Sequence, residues 1–304
     1  MSRLSPTPKP SGVAAVGLVA VGLVCQEIGA SVAVMLFPQT GPLGMVMLRL
    51  VFTALILLVI ARPSLRGHSA RAWRSALMLG GVLALMNGLF YLALNELPLG
   101  VTVTIEVLGP LTLAVLVART RASWLWAGVA GVGVLALGGG GWDRLTLTGV
   151  LFALGAAASW AGYILAATRV GRDFQRLDGL ALAMVFGALL SLPFGIADAG
   201  AALLRVELVA LGAAVAVLSS TIPYALELIA LRRLTPAVFG VLMSLGPATA
   251  SLAGFVLLGQ HLSALEIGGI ALVIIASAGA VWAGRTAASG AGELPPTTGI
   301  IPTA

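Results

Sequence analysis

The sequence predicts an all-α integral membrane protein: ten transmembrane helices arranged as two inverted five-helix repeats, with both termini cytoplasmic. Composition, the placement of arginines and one internal repeat carry that prediction. Hydrophobic residues make up 59% of the 304 and charged residues 9%, with a mean hydropathy of +1.07. A soluble domain of this length has no use for so much apolar surface, whereas a bundle bathed in lipid does.

Ten apolar runs lie near 13–36, 42–61, 75–94, 98–118, 123–139, 147–168, 179–197, 206–231, 235–258 and 263–284. About 20 helical residues cross a hydrocarbon core of about 30 Å, which is the length of these runs. Backbone amides in lipid must be satisfied within their own segment, so helices are expected, and the runs lack the alternation of barrel strands. The gaps are short and rich in Gly, Pro and charge. They divide the chain into a cytoplasmic segment 1–12, halves at 13–139 and 147–284, and a disordered cytoplasmic tail 285–304.

Fourteen of the seventeen basic residues fall on one side. They are Arg3 and Lys9; Arg62, Arg66, Arg71 and Arg74; Arg119 and Arg121; Arg169, Arg172 and Arg176; Arg232 and Arg233; and Arg285. The opposite side holds Arg144 and Arg205, and Arg49 sits inside span 2. The positive-inside rule then places both termini in the cytoplasm of an inner-membrane protein. The +6 net charge is a topology signal, and nucleic acid is excluded as a partner. Span 1 is too long for a signal-peptide core and is read as retained. The one cysteine, Cys25, lies in that span and allows no internal disulfide.

The repeat has an offset of 137 residues: Leu97-Pro98 through Leu108-Gly109-Pro110 aligns with Leu234-Thr235 through Leu245-Gly246-Pro247. Five spans per half is an odd number, so the second half enters the membrane from the opposite side. Such inverted repeats are the architecture of many secondary transporters.

Ionisable residues inside spans cost roughly 2.5–3.5 kcal/mol each on insertion scales, which marks them as functional candidates. Glu27, Arg49, Glu106 and Glu227 qualify. At 1.5 Å per residue, Glu27 lies roughly 14 Å, Arg49 about 10 Å and Glu106 about 12 Å below the outer helix ends, with Asn87 at a comparable depth. That level suits a small zwitterion. Glu106 or Glu27 is placed to receive an ammonium, and Arg49 either grips a carboxylate with its planar fork or forms a structural ion pair with Glu106. The carboxyls are also candidates for proton uptake and release. Glu227 stands near the inner end of span 8, where a role at the mouth and pairing with Arg232 or Arg233 are both open. Pro110 and Pro247 break their helices at equivalent places. Pro223, after Ser219-Ser220-Thr221, marks a hinge whose hydroxyls satisfy the freed carbonyls. Tyr91, Trp160 and Tyr163 either line a cavity or only pack. Small pairs such as Ala127/Gly131 and Gly155/Ser159 let helices approach.

No phosphate-binding glycine loop exists, and the only lysine is Lys9. His68 and His261 lie in opposite-side loops without acidic partners, so neither metal, cofactor nor enzyme chemistry is expected. An inert structural subunit gains little from charges gathered at one depth.

A set of motifs resembles the EamA-type branch of the drug/metabolite transporter superfamily, and within it the threonine/homoserine exporters. In the first half these are Gly29-Ala30-Ser31, Leu36-Phe37-Pro38, Leu48-Arg49-Leu50, Met86-Asn87, Leu89-Phe90-Tyr91-Leu92, Pro98-Leu99-Gly100 and Glu106 before Gly109-Pro110. In the second they are Pro223-Tyr224, Leu226-Glu227, Ile229-Ala230-Leu231, Phe239-Gly240 and Leu242-Met243-Ser244. The resemblance spans nearly all of 13–284, and Arg49, Asn87, Glu106 and Glu227 fall on matching positions. It implies an exporter of small hydrophilic amino acids working by alternating access, with proton antiport and gradient-driven uniport both open; with the repeat fused in one chain, a monomer can already form the pathway. Export of aromatic amino acids, purines or drugs is the alternative. Two departures stand out: Gly246-Pro247 where the family often has Glu-Pro, and Gly259-Gln260 where it often has Gly-Glu.

Overall fold

The computed structural model describes residues 12–137, 145–175, 177–231, 233, 234 and 236–290. The segment 1–11, residues 138–144, 176, 232 and 235, and the tail from 291 lie outside the described residues. The first half comprises α1 (Gly12–Thr40), α2 (Pro42–Ala61), α3 (Ala70–Glu96), α4 (Leu99–Glu106), α5 (Leu108–Ala118) and α6 (Arg121–Leu137). The second comprises α7 (Leu147–Asp173), α8 (Asp178–Ala199), α9 (Val206–Ala216), α10 (Ile222–Leu231), α11 (Pro236–Met243), α12 (Gly246–Leu258) and α13 (Ala264–Gly290). A 3₁₀ turn at Gly200–Leu204 precedes α9, and a π-helical turn at Val217–Thr221 joins α9 to α10.

Among the described residues nine helical segments are long and apolar enough to cross a membrane, with α4–α5 and the broken stretches 206–227 and 238–258 each counted as one. The fifth expected span corresponds to α6, a shorter apolar helix of 17 residues. The chain is thus a multi-pass, all-helical membrane protein. Its surface is apolar: Val59 is 70% and Leu135 69% exposed. Its interior holds Glu27 and Glu266, 2% and 1% exposed. That is the inverse of a soluble domain and follows from lipid being the solvent.

Caps fix several helix starts, and at α3 the cap carries the helix past its hydrophobic stretch. Ser69 accepts from the Ala72 N–H at 3.2 Å and starts α3 five residues before the expected 75. Thr146 accepts from the Gly149 N–H and starts α7. The Ser263 hydroxyl accepts from the Glu266 N–H while the Glu266 carboxylate accepts from the Ser263 N–H at 2.7 Å, a capping box that opens α13 and explains a buried acid. The last helix continues to Gly290, into the stretch expected to be tail.

Packing pairs α2 with α8, α6 with α13 and α4 with α12. Helix α3 lies against α7 and α8, while α1 lies against α10 and α12, and α7 also meets α4 and α5. Small residues set these approaches, though not all the expected ones. Gly131 has open space beside it; Gly133 and Gly269 instead bring α6 and α13 together, a Cβ on either reaching the other's carbonyl oxygen. Gly155 does lie against Leu89.

Candidate functional site

A cavity of about 470 Å³ lies in the middle of the bundle. Every intramembrane ionisable residue named from the sequence lines it: Glu27, Arg49, Glu106 and Glu227, together with Asn87. Trp160 and Tyr163 line it from α7, and Pro110 from the start of α5. Toward one end the lining runs down to Ala114 on α5, Glu227 on α10 and Phe239 on α11, next to the helix ends that carry Arg119, Arg121 and Arg233. Arg232, one of the expected partners of Glu227, lies outside the described residues.

Glu27 is buried on α1, and its Oε2 has no hydrogen-bond partner among the described residues. Ser219 Oγ and Ser277 Oγ share that condition, and both line the same cavity. Buried polar atoms are rarely left unpaired, so three among the cavity-lining residues mark a surface shaped for a polar guest. Glu27 and Glu106 are near enough to interact electrostatically with one another, and each with Arg49. The wall therefore sets three carboxyls against one guanidinium. Asn87 gives one amide hydrogen to the Leu83 carbonyl at 2.8 Å, on its own helix.

Arg49 is half-buried in the cavity lining, and its guanidinium bonds to the protein around it. Its Nε donates to Ser220 Oγ at 3.0 Å, Nη1 to Tyr91 Oη at 3.3 Å and Nη2 to the Ser219 carbonyl at 3.2 Å. Tyr91 is fully buried and does not line the cavity; its ring lies 5.5 Å from the Arg49 Cζ and packs on Phe37. Its place is behind the wall, as a support. Pro247 and Pro223 are likewise buried off the cavity. Of the hydroxyls expected to heal the Pro223 break, Ser219 Oγ is unpartnered and Ser220 Oγ accepts from Arg49; Thr221 alone reaches a carbonyl, that of Ala216, at 3.5 Å.

The two expected helix breaks are mild. Pro110 lacks the N–H that would bond the Glu106 carbonyl, and Pro247 the one for Met243. Yet Val107 stays helical at φ −60° and ψ −19°, and Leu245 nearly so at φ −78° and ψ −6°. Gln260 proves to be a cap: its Oε1 accepts from the Leu99 N–H at 2.9 Å, at the start of α4. Phe90, Met243 and Ser277 line the cavity without having been singled out as site residues, and Ser219 was read only as part of the Pro223 hinge. Serine, Met and Phe are ordinary in membrane helices, so only Ser219, beside Pro223, carried any signal.

Apolar helices around a cavity walled with charge define a multi-pass membrane transporter. Residues 147–282 match the model of the EamA-like transporter family. The threonine/homoserine exporter RhtA of Escherichia coli strain K12 is 39% identical over 262 residues, 85% of this chain and 88% of the relative. That of Salmonella typhimurium strain SL1344 is 40% identical over 256 residues, 83% and 86% of the two chains. A protein of known crystal structure, 19% identical, shares the fold over 90% of this chain and 99% of its own, with a TM-score of 0.51. The chain belongs to the EamA-like transporter family, a family of transporters and not of enzymes.

Proposed function

We propose that the protein exports small hydrophilic amino acids, threonine and homoserine foremost, across the inner membrane. The observation that carries this reading is the acid-rich cavity with unpartnered Glu27, Ser219 and Ser277 atoms, in a chain so close to two threonine/homoserine exporters. Glu27 and Glu106 receive the substrate ammonium, and the serine hydroxyls offer hydrogen bonds to its polar side chain. Glu227 guides substrate at the mouth, and Asn87, Trp160 and Tyr163 shape the chamber. Either glutamate, on taking up a proton, gives up its hold on an ammonium, which suits proton antiport.

The halves 13–139 and 147–284 act as inverted repeats with both termini cytoplasmic. Three observations support this: the 137-residue offset, the arginine distribution, and a packing scheme that maps onto itself when the halves are exchanged. Under that exchange α3 against α7 becomes α9–α10 against α1, and α3 against α8 becomes α9 against α2; α2–α8 and α6–α13 are unchanged. In this orientation the cavity leads toward the cytoplasm, the side from which an exporter loads. One copy contains the whole cavity, which favours a monomer.

A second reading rests on the aromatic rings of Phe90, Trp160, Tyr163 and Phe239 in the same wall: export of aromatic amino acids. Efflux from proteoliposomes preloaded with labelled threonine or labelled phenylalanine, challenged by homoserine or by unlabelled phenylalanine, separates the two. Threonine efflux inhibited by homoserine alone supports the first. Phenylalanine efflux without threonine efflux rejects it.

A further inference from the structure

We propose that Arg49 is a clamp on a broken helix of the opposite half rather than a ligand for substrate. Its guanidinium supplies the donor that Pro223 withholds from the π turn, tying the α9–α10 bend to α2 and α3.

In the π turn the Ile222 N–H reaches back to the Val217 carbonyl, a wider loop than the α-helical bond. The next residue is Pro223, which has no N–H, so the turn's carbonyls are one amide short. An unmet carbonyl in a membrane interior is costly. Arg49 Nη2 stands 3.2 Å from the Ser219 carbonyl and Nε stands 3.0 Å from Ser220 Oγ, so one planar fork meets two successive residues of the turn. Its third arm reaches Tyr91 Oη on α3. The turn is also closely overlain by α1, where a Cβ on Gly29 would collide with Ser219 Oγ.

The other half supplies a control. At the 137-residue offset Pro223 aligns with Met86, inside the unbroken helix α3, and Arg49 aligns with Phe186 on α8. Where the helix is whole there is no arginine; where it is broken there is one. Break and guanidinium occur together, as donor supply requires and as carboxylate recognition does not. The bend carries Ser219 and Glu227 into the cavity wall, so the clamp sets their position relative to Glu27 and Glu106. Arg49 is in these terms a positioning residue.

The inference rests on the export reading only for its transport arm. Hydrogen–deuterium exchange over 217–226 in purified protein needs no substrate, and is compared for wild type, Arg49→Met, Pro223→Ala and the double variant. The clamp predicts that Arg49→Met speeds exchange there by about tenfold, the effect of losing charge-assisted bonds. It also predicts that adding Pro223→Ala, which returns an N–H to the turn, restores most of the protection. In proteoliposomes Arg49→Met slows efflux of threonine and of threoninamide alike, and the double variant recovers both. Unchanged exchange in Arg49→Met would overturn the clamp, as would a loss confined to threonine with its free carboxylate. Should Arg49→Met not accumulate, Arg49→Lys, with one point donor in place of a fork, carries the same comparison with the same deciding results. If wild type exports no threonine, the export reading fails while exchange still judges the clamp.

Discussion

Two breaks of like sequence, Leu108-Gly109-Pro110 and Leu245-Gly246-Pro247, have been put to different use. At the first, Gly109 is pressed against α7 so closely that a Cβ would collide with the Ala157 carbonyl; at the second, a Cβ on Gly246 would meet Val103 at an ordinary 3.8 Å among the described residues. Three residues before each glycine stands a cavity-lining side chain, Glu106 in one half and Met243 in the other. The two stretches therefore share a sequence motif while the cavity-lining side chains before it differ. The first half supplies most of the charge, through Glu27, Arg49 and Glu106, and the second adds Glu227, the hydroxyls of Ser219 and Ser277, and a bend. Likeness of sequence does not extend to likeness of chemistry.

The sharpest way to break this comparison is to give both glycines a methyl group. Gly109→Ala forces α5 away from α7, so it should cost roughly 1–3 kcal/mol and lower the melting temperature by several degrees. Gly246→Ala should leave melting within a degree or two, and equal effects would show that the two breaks are equivalent after all. Next in size is Glu27→Gln, expected to slow efflux about tenfold while leaving stability intact or improved, because a buried carboxyl lacking a partner on one oxygen is replaced by a neutral amide. On the other side Met243→Leu, at the position aligned with Glu106, should keep efflux within about twofold. Smallest is Gln260→Ala, which removes the cap on α4. It should cost about 1 kcal/mol of stability, read as a modest loss in thermal melting, with the substrate Km unchanged. A raised Km there would mean that Gln260 touches substrate.

How much was legible follows from what insertion into lipid penalises. Apolar runs and charges within them are both expensive to place wrongly, so the helices and the set Glu27, Arg49, Asn87, Glu106 and Glu227 could be read directly. Helix ends could not, because a single cap such as Ser69 carries α3 past its hydrophobic stretch. Nor could the bonds of Arg49, whose acceptors are a serine carbonyl and hydroxyl some 170 residues away and the buried Tyr91. A π turn has no residue signature of its own; only Pro223 hinted that the helix there was short of a donor. The serines that line the cavity are silent for a related reason, since a hydroxyl in a membrane helix usually bonds its own backbone, as Ser159 does with Gly155.

The central claim is that an acid from the first half, Glu106, operates a cavity built by both. Efflux of preloaded labelled threonine from proteoliposomes, measured with and without an imposed pH gradient in wild type and Glu106→Gln, tests it most directly. Gradient-stimulated efflux in wild type, reduced at least tenfold and made indifferent to the gradient in Glu106→Gln, is the predicted result. Efflux by Glu106→Gln at the wild-type rate with the wild-type response to the gradient would contradict it.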